Sequence, residues 1–190
     1  MDADTRQGLK IISSEAKRLT EMVIELLDFT RMQDGRMTLS VELTDIRGEF
    51  EDTVYMYGSR LAQDGIQLCY HDSDEEIPEI PCDPKRLRQV FLNILDNAAK
   101  YGGEGKRIDT SMHFEDDQVV VRIRDYGPGI PEDELPLVKK KFYKGSSSVR
   151  GTGIGLAVCD EIVDMHGGTL TLENAPGGGT LVTVRLPAAH

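Results

Sequence analysis

Gly151-Thr152-Gly153-Ile154-Gly155-Leu156 sets three glycines at alternate positions and runs straight into a helix-like segment, Leu156 to Met165. A helix start leaves its first N–H groups unpaired and carries partial positive charge. Glycines ahead of it let backbone approach an anion with no Cβ in the way. The stretch reads as a phosphate seat or as an ordinary glycine-rich loop. It is not a P-loop, because no Lys-Ser/Thr follows the last glycine. It is not the dinucleotide fingerprint, because its spacing is G-x-G-x-G rather than G-x-G-x-x-G. Lys139, Lys140, Lys141, Lys144 and Arg150 crowd just ahead of it. They form either a solvated basic face or a local anion site, and the adjacent glycines favour the second.

The rest of the chain decides between these readings. Its 190 residues suffice for one full core with an appendage, and 39% hydrophobic and 29% charged residues suit a soluble globular protein. No apolar run reaches the roughly 18 residues of a membrane span, and no signal peptide opens the sequence. Cys69, Cys82 and Cys159 are odd in number and far apart, which suggests reduced structural thiols. A net charge of −11 argues against a nucleic-acid partner.

Residues 5–33 read as one long helix. Leu9, Ile12, Ala16, Leu19, Val23 and Leu26 recur at spacings of three and four, and Met22, Leu27 and Phe29 widen the stripe. No helix of similar length elsewhere in the sequence can cover it, so the expectation is a homodimer, or else a helix folded back on its own domain. Met37, Leu39, Val41 and Leu43 alternate with polar residues, which predicts a strand. Asp45 caps a predicted helix over 46–63, a strand follows at 66–71, and 72–81 reads as a loop. Asp83-Pro84 opens a third helix that stops at Gly102-Gly103. Segments 107–114 and 118–125 form a predicted hairpin around Glu115-Asp116-Asp117, and a short helix is expected near 132–140. The glycine loop and its helix come next, then strands at 169–174 and 180–186. The fold class is α+β: a sandwich of an antiparallel or mixed sheet and helices, preceded by a long N-terminal helix.

Two constellations could carry chemistry. On the third helix Arg86, Gln89, Asn93, Asn97 and Lys100 form a polar stripe beside the apolar one. Two amides and a lysine suit a Mg²⁺–phosphate group, since Mg²⁺ takes few protein ligands and keeps phosphate oxygens and water. The plain alternative is a solvated face. Val119, Val121, Ile123 and Asp125 share one side of a strand by period two, so Asp125 should be buried at its end. A buried carboxylate needs donors, which a base with an exocyclic amino group supplies. Equally, Asp125 could cap its own loop. His166, ahead of Gly167-Gly168, reads as a charge-favourable helix end rather than a metal ligand.

These pieces stand in an order that resembles sensor histidine kinases. Leu92-Asn93-Ile94-Leu95-Asp96-Asn97-Ala98-Ala99-Lys100-Tyr101 resembles their N box and Asp125-Tyr126-Gly127-Pro128-Gly129 their G1 box. Phe142-Tyr143-Lys144 is similar to the end of the F box, Gly151–Leu156 to the G2 box, and Gly179-Thr180 to the final Gly-Thr motif. Residues 5–33 resemble the second helix of the dimerisation and phosphoacceptor hairpin. The resemblance implies a Bergerat ATP-binding fold, a mixed sheet backed by three helices, over residues 36–190, with residues 1–35 as half of the hairpin. It implies ATP and Mg²⁺ as cofactors and γ-phosphoryl transfer to a histidine, with relay to a response regulator receiver domain. Asn97 would hold Mg²⁺ with Asn93 beside it. Lys100 and Tyr101 would face the phosphates, and Asp125 would accept the adenine amino group. Gly127, Gly129 and Ile130 would line the base, with Thr180 nearby. Tyr143, Lys144 and Arg150 would belong to a lid over ATP. Gly151, Thr152, Gly153, Ile154, Gly155 and Leu156 would receive the phosphate chain. Asn93, Lys100 and Lys144 would assist transfer. The family also implies a cytoplasmic domain, of a kind found in parents anchored in the cell membrane.

Three departures qualify the resemblance. Arg150 stands where the G2 box often has glycine, and Val138 where the F box often has phenylalanine. No histidine lies on residues 5–33, so the chain reads as a fragment beginning after the phosphoacceptor helix, able to bind ATP but not to phosphorylate an H-box histidine of its own. The rivals are an ATP hydrolase of the same superfamily, which carries Glu at the Asn93 position, and a non-catalytic ATP-responsive interaction module. Asparagine cannot take a proton from water, which disfavours the hydrolase.

Overall fold

The computed structural model describes residues 3–140 and 153–188. It divides into two compact units, Met1–Met37 and Thr38–His190. The first is helix α1, Ala3–Gln33. It stops where Gly35 turns to φ 62° and Arg36 N donates back to Arg31 O at 2.9 Å. Leu9, Ile12, Leu19, Val23 and Leu26 of its apolar stripe are between 48% and 66% exposed.

The second unit runs β1 (Glu42–Thr44), α2 (Ile46–Gln63), β2 (Gln67–His71), β3 (Ile80–Cys82), α3 (Pro84–Gly102), β4 (Arg107–Glu115), β5 (Gln118–Asp125), α4 (Gly155–Met165), β6 (Thr169–Asn174) and β7 (Thr180–Pro187). Five strands form one sheet in the order β2-β4-β5-β7-β6. The β2–β4 pair is parallel and the others antiparallel, so the sheet is mixed. Ile108, Thr110 and Met112 of β4, Val121 and Ile123 of β5, Val184 of β7 and Leu170 of β6 share one buried face by register. Helices α2, α3 and α4 pack against the sheet, α2 on β2, α3 centrally and alongside both other helices, and α4 on β6. This is the expected α+β sandwich.

Local chemistry sets the element ends. Asp45 Oδ1 accepts from Gly48 N at 3.0 Å to start α2. Asp83 Oδ1 accepts from Arg86 N at 3.1 Å, with Pro84 in the first turn, to start α3. Leu87, Val90, Phe91, Ile94, Leu95 and Ala98 then form the buried stripe of α3. Phe91 meets Phe50 of α2 edge-on, ring centroids 4.9 Å apart, a geometry worth about 1 kcal/mol beyond burial. Between β4 and β5, Asp116 and Asp117 both take positive φ, 53° and 57°, the two-residue turn that matches strand twist.

Three expectations are corrected. The alternation over 37–43 yields only the short β1, and Val41 and Leu43 are 52% and 68% exposed. Its partner is β3, inside the stretch read as a loop, with Leu43 opposite Pro81. Proline has no N–H to give a ladder, so this pair stays short. The helix near 132–140 is instead a succession of turns, including Leu135 N to Pro131 O at 3.1 Å and Lys140 N to Leu137 O at 2.8 Å. Pro136 interrupts the donors a helix would need there.

His166 is also not the charged helix end expected. It is 2% exposed. Its Nε2 accepts from Asp83 N at 3.0 Å, which leaves Nδ1 to donate to Ile162 O at 2.7 Å. The ring is a neutral staple between the end of α4 and the start of α3, and Asp83 Oδ2 continues the chain of bonds to Ser40 N at 2.8 Å. His166→Ala orphans a buried donor, so urea unfolding should show a loss of about 1–3 kcal/mol. Unchanged stability would remove the staple.

Among the described residues no helix is long and apolar enough to cross a membrane. Cys82 and Cys159 are buried, Cys69 is half-buried, and none of the three is joined in a disulfide.

Candidate functional site

Asp125 closes β5 on its helix-facing side, opposite Ile108, and is 6% exposed. It is buried as period two predicts, and it caps its own loop. Its Oδ1 accepts from Gly127 N at 2.9 Å, capping its own loop, and from Thr180 N at 3.2 Å, across the sheet. Burial pushes its carboxyl above the ordinary range, against the pull of the Gly127 and Thr180 hydrogen bonds.

Backbone presses on this carboxylate from two sides. A Cβ on Gly102, the last residue of α3, would lie 2.3 Å from Asp125 Cβ and Cγ. A Cβ on Gly127 would lie 2.5 Å from Gly102 Cα. The end of α3, the strand end and the Gly127–Gly129 loop therefore meet at one point. Gly129 has φ 79° and Gly179 φ 85°.

Midway along the polar stripe, Asn93 meets α4. A Cβ on Gly155 would sit 3.4 Å from Asn93 Oδ1. Helix α4 starts from Ile154, 4% exposed, which offers no side-chain cap, and Gly153 before it has φ 71°. No side chain caps the start of α4, the kind of helix end to which an anion can bind. Neither Asn93 nor Asn97 makes a side-chain hydrogen bond within the described residues, and both are half-buried. Lys100 turns elsewhere. Its Nζ lies 2.5 Å from Asp96 Oδ2, and Asp96 also accepts from Tyr57 OH at 3.0 Å. Tyr101 is 43% exposed beside Gly102. Thr180 is 9% exposed.

Sequence reasoning missed several supports. Asn174 of β6 accepts from Ile130 N at 2.8 Å and donates to Ile130 O at 2.7 Å, pairing like a strand with the loop beyond Gly129. The guanidinium groups of Arg124 and Arg107 lie over the Tyr126 ring at 4.5 and 5.5 Å. Tyr126 OH donates to Asp109, whose other oxygen is shared by Arg107 and His71. Desolvation pushes the Asp109 carboxyl up, but bonds from Arg107, Tyr126 and His71 together hold it below its ordinary value. Period two set Arg124 and Tyr126 on one side, but no local signal marks Asn174. Lys139 leaves the expected basic cluster: its Nζ is taken by Asp160 Oδ1 and Leu170 O, each at 2.9 Å. Tyr143, Lys144, Arg150, Gly151 and Thr152 lie outside the described residues.

Residues 82–190 match the model of the histidine kinase-, DNA gyrase B-, and HSP90-like ATPases. The chain belongs to this family. Its relatives include histidine kinases. It is 35% identical over 189 residues to the signal transduction histidine-protein kinase AfsQ2 of Streptomyces coelicolor, matching 98% of this chain and 34% of that protein. The full-length ShkA structure in complex with AMPPNP matches with a TM-score of 0.83 at 25% identity, covering 98% of this chain and 39% of that one. The structure of histidine kinase ThkA with the response regulator protein TrrA matches in fold, with a TM-score of 0.78 at 23% identity, over 99% of this chain and 53% of that one. The chain spans about a third or less of the curated relatives it matches. This member of the ATPase family is a catalytic ATP-binding domain of the sensor histidine kinase type.

The residues present fit a nucleotide: a buried acceptor at one end, a helix start with no side-chain cap at the other and, between them, two amides that make no side-chain hydrogen bond among the described residues. No cluster of three or more His, Cys, Asp or Glu among the described residues could hold a metal by itself. Two neutral amide oxygens instead suit a cation whose remaining ligands are phosphate and water.

Proposed function

We propose that the chain is the ATP-binding catalytic core of a two-component sensor histidine kinase. It transfers the γ-phosphoryl group of ATP to a histidine outside this chain, for relay to a response regulator receiver domain. The observation that carries this reading is a spacing. Gly102 abuts the Asp125 carboxylate and Asn93 abuts the start of α4, and the two stand nine positions apart on α3. At 1.5 Å per residue that is about 14 Å, the scale of a nucleoside triphosphate lying along the helix. Adenine then belongs at Asp125 and the terminal phosphates at Asn93 and Gly155.

In this reading Asp125 accepts the adenine amino group, and Gly127, Gly129, Ile130 and Thr180 line the base. Gly153, Ile154, Gly155 and Leu156 offer the helix start to the phosphates. Lys100 would leave Asp96 to reach them, with Tyr101 beside it. Tyr143, Lys144, Arg150, Gly151 and Thr152 are assigned to the lid by resemblance alone. Asn97, with Asn93, would hold Mg²⁺, which neutralises charge on the phosphates when bound. Transfer rests on positioning and charge rather than on a protein base, since neither asparagine can accept a proton. Residues 1–35 would be the second helix of the dimerisation hairpin, its exposed seam meeting a second copy, and residues 36–190 the catalytic domain, held on the cytoplasmic side of a parent anchored in the membrane.

Labelled ATP, supplied with the full-length protein or with the missing hairpin helix in trans, should label that helix and not this chain. Rapid phosphate release by this chain alone would favour a hydrolase. Nucleotide binding with no transfer in the full-length protein would leave an interaction module. For the metal, Asn97→Ala should cut ATP affinity about tenfold in Mg²⁺ and little in EDTA, as read by calorimetry. Intact Mg²⁺ dependence would move the metal off Asn97.

A further inference from the structure

Asp125 and the loop after it are held in turn by side chains outside the set assigned to the base. Arg124 precedes it and points to the other side of the sheet by period two. From there one Arg124 nitrogen donates to Pro176 O at 2.8 Å and to Gly178 O at 3.4 Å. That holds the glycine turn, which delivers Thr180 N to Asp125 Oδ1. The same guanidinium lies over the ring of Tyr126, 4.5 Å from its centroid. Tyr126 follows Asp125, and its hydroxyl is tied to Asp109, the register partner of Arg124. Gly105 packs against the Tyr126 carbonyl so closely that a Cβ there would lie 2.3 Å from its oxygen. Downstream, Asn174 clamps both the N–H and the C=O of Ile130. Gly127 has no side chain and Gly129 takes φ 79°, so the loop has few side-chain contacts of its own to fix it. Its shape is set by these ties at both flanks and behind the turn.

We propose that Arg124, Tyr126 and Asn174 form a brace that holds Asp125 and the Gly127–Gly129 loop in register for base selection, acting as positioning residues for adenine. This rests on the reading of Asp125 as the adenine acceptor. The brace works through Asp125: without that carboxylate, loosening the loop has no preference left to lose.

The test compares dissociation constants for ATP and GTP, with melting temperatures in parallel, on the 190-residue chain. Tyr126→Leu and Asn174→Ala should each cut the preference for ATP over GTP about tenfold, the size of a coupling between contacting residues. Tyr126→Phe keeps the ring under Arg124 and should hold the preference within about threefold of wild type. Asn174 is exposed, so its alanine variant folds. In an Asp125→Asn background the brace variants should shift the ratio by less than about twofold. A lower melting temperature with an unchanged ratio in Tyr126→Leu and Asn174→Ala would overturn the brace and leave a stability role. An unchanged ratio in Asp125→Asn itself would overturn the base assignment instead. Full additivity of the two changes would also sink the proposal.

Discussion

Gly102→Ala is expected to abolish nucleotide binding at micromolar protein while lowering stability, although alanine is the better helix former. At an ordinary helical position the exchange gains about 0.5–1 kcal/mol. Here the new Cβ would lie 2.3 Å from Asp125 Cβ and Cγ and 2.5 Å from its Oδ1. Asp125 Cβ cannot rotate away as a side-chain end could, so α3 or β5 must shift, and overpacking of this kind costs about 1–3 kcal/mol. Misplacing a positioned group by about 1 Å costs on the order of 100-fold in function, so the dissociation constant for ATP should rise by at least that factor. The neighbouring Gly103→Ala is the control, because its Cβ would meet only Ile66 Cδ1 at an ordinary 3.5 Å. Calorimetry on both variants decides the matter. ATP binding to Gly102→Ala at wild-type strength would show that the carboxylate is not where recognition happens.

Asp125→Asn should separate stability from recognition. Burial raises the folded-state carboxyl above its ordinary value of 3.8. A raised folded value means the protonated form stabilises the fold: that contribution is complete below the unfolded value and is lost as pH rises through the folded one. At pH 7 the ionised group is therefore a cost, which an amide in its place removes. The substituted side chain keeps an acceptor for Gly127 N and Thr180 N but presents N–H where the base would need an acceptor. The variant should melt higher than wild type at pH 7, with the difference vanishing below about pH 4. It should bind ATP about 10–100-fold more weakly, the scale of a lost bond to a charged group. It should also lose its preference over GTP. A variant that melts lower at pH 7 and still prefers ATP would contradict both halves.

Much of this site is legible in the sequence because its residues obey local periods. Asn93, Asn97 and Lys100 fall on one stripe because α3 is an unbroken helix with Asp83-Pro84 at its start. Asp125 is buried because period two puts it with Val119, Val121 and Ile123. The hairpin is legible too, with Asp116 and Asp117 supplying the two left-handed turn residues. The supports are not local. Asn174 reaches Ile130 across 44 positions and His166 reaches Asp83 across 83. No spacing rule links such pairs. Lys139 shows the reverse error. A run of lysines reads as one electrostatic patch, yet Asp160 and a strand-edge carbonyl take this one. Alternation misled at Val41 and Leu43, since period two gives a face but not what covers it.

The distances along the chain at which the base pocket closes have a kinetic consequence. The β4–β5 hairpin joins residues a few positions apart and can form within microseconds. Asp125 sits at its open end and gains its Thr180 partner only when β7 docks, 55 positions later. That loop closure is entropically slow and belongs among the last events of folding. Partly folded chains with β6 and β7 detached would lack the pocket, so nucleotide should bind only the finished domain and pull the folding equilibrium toward it.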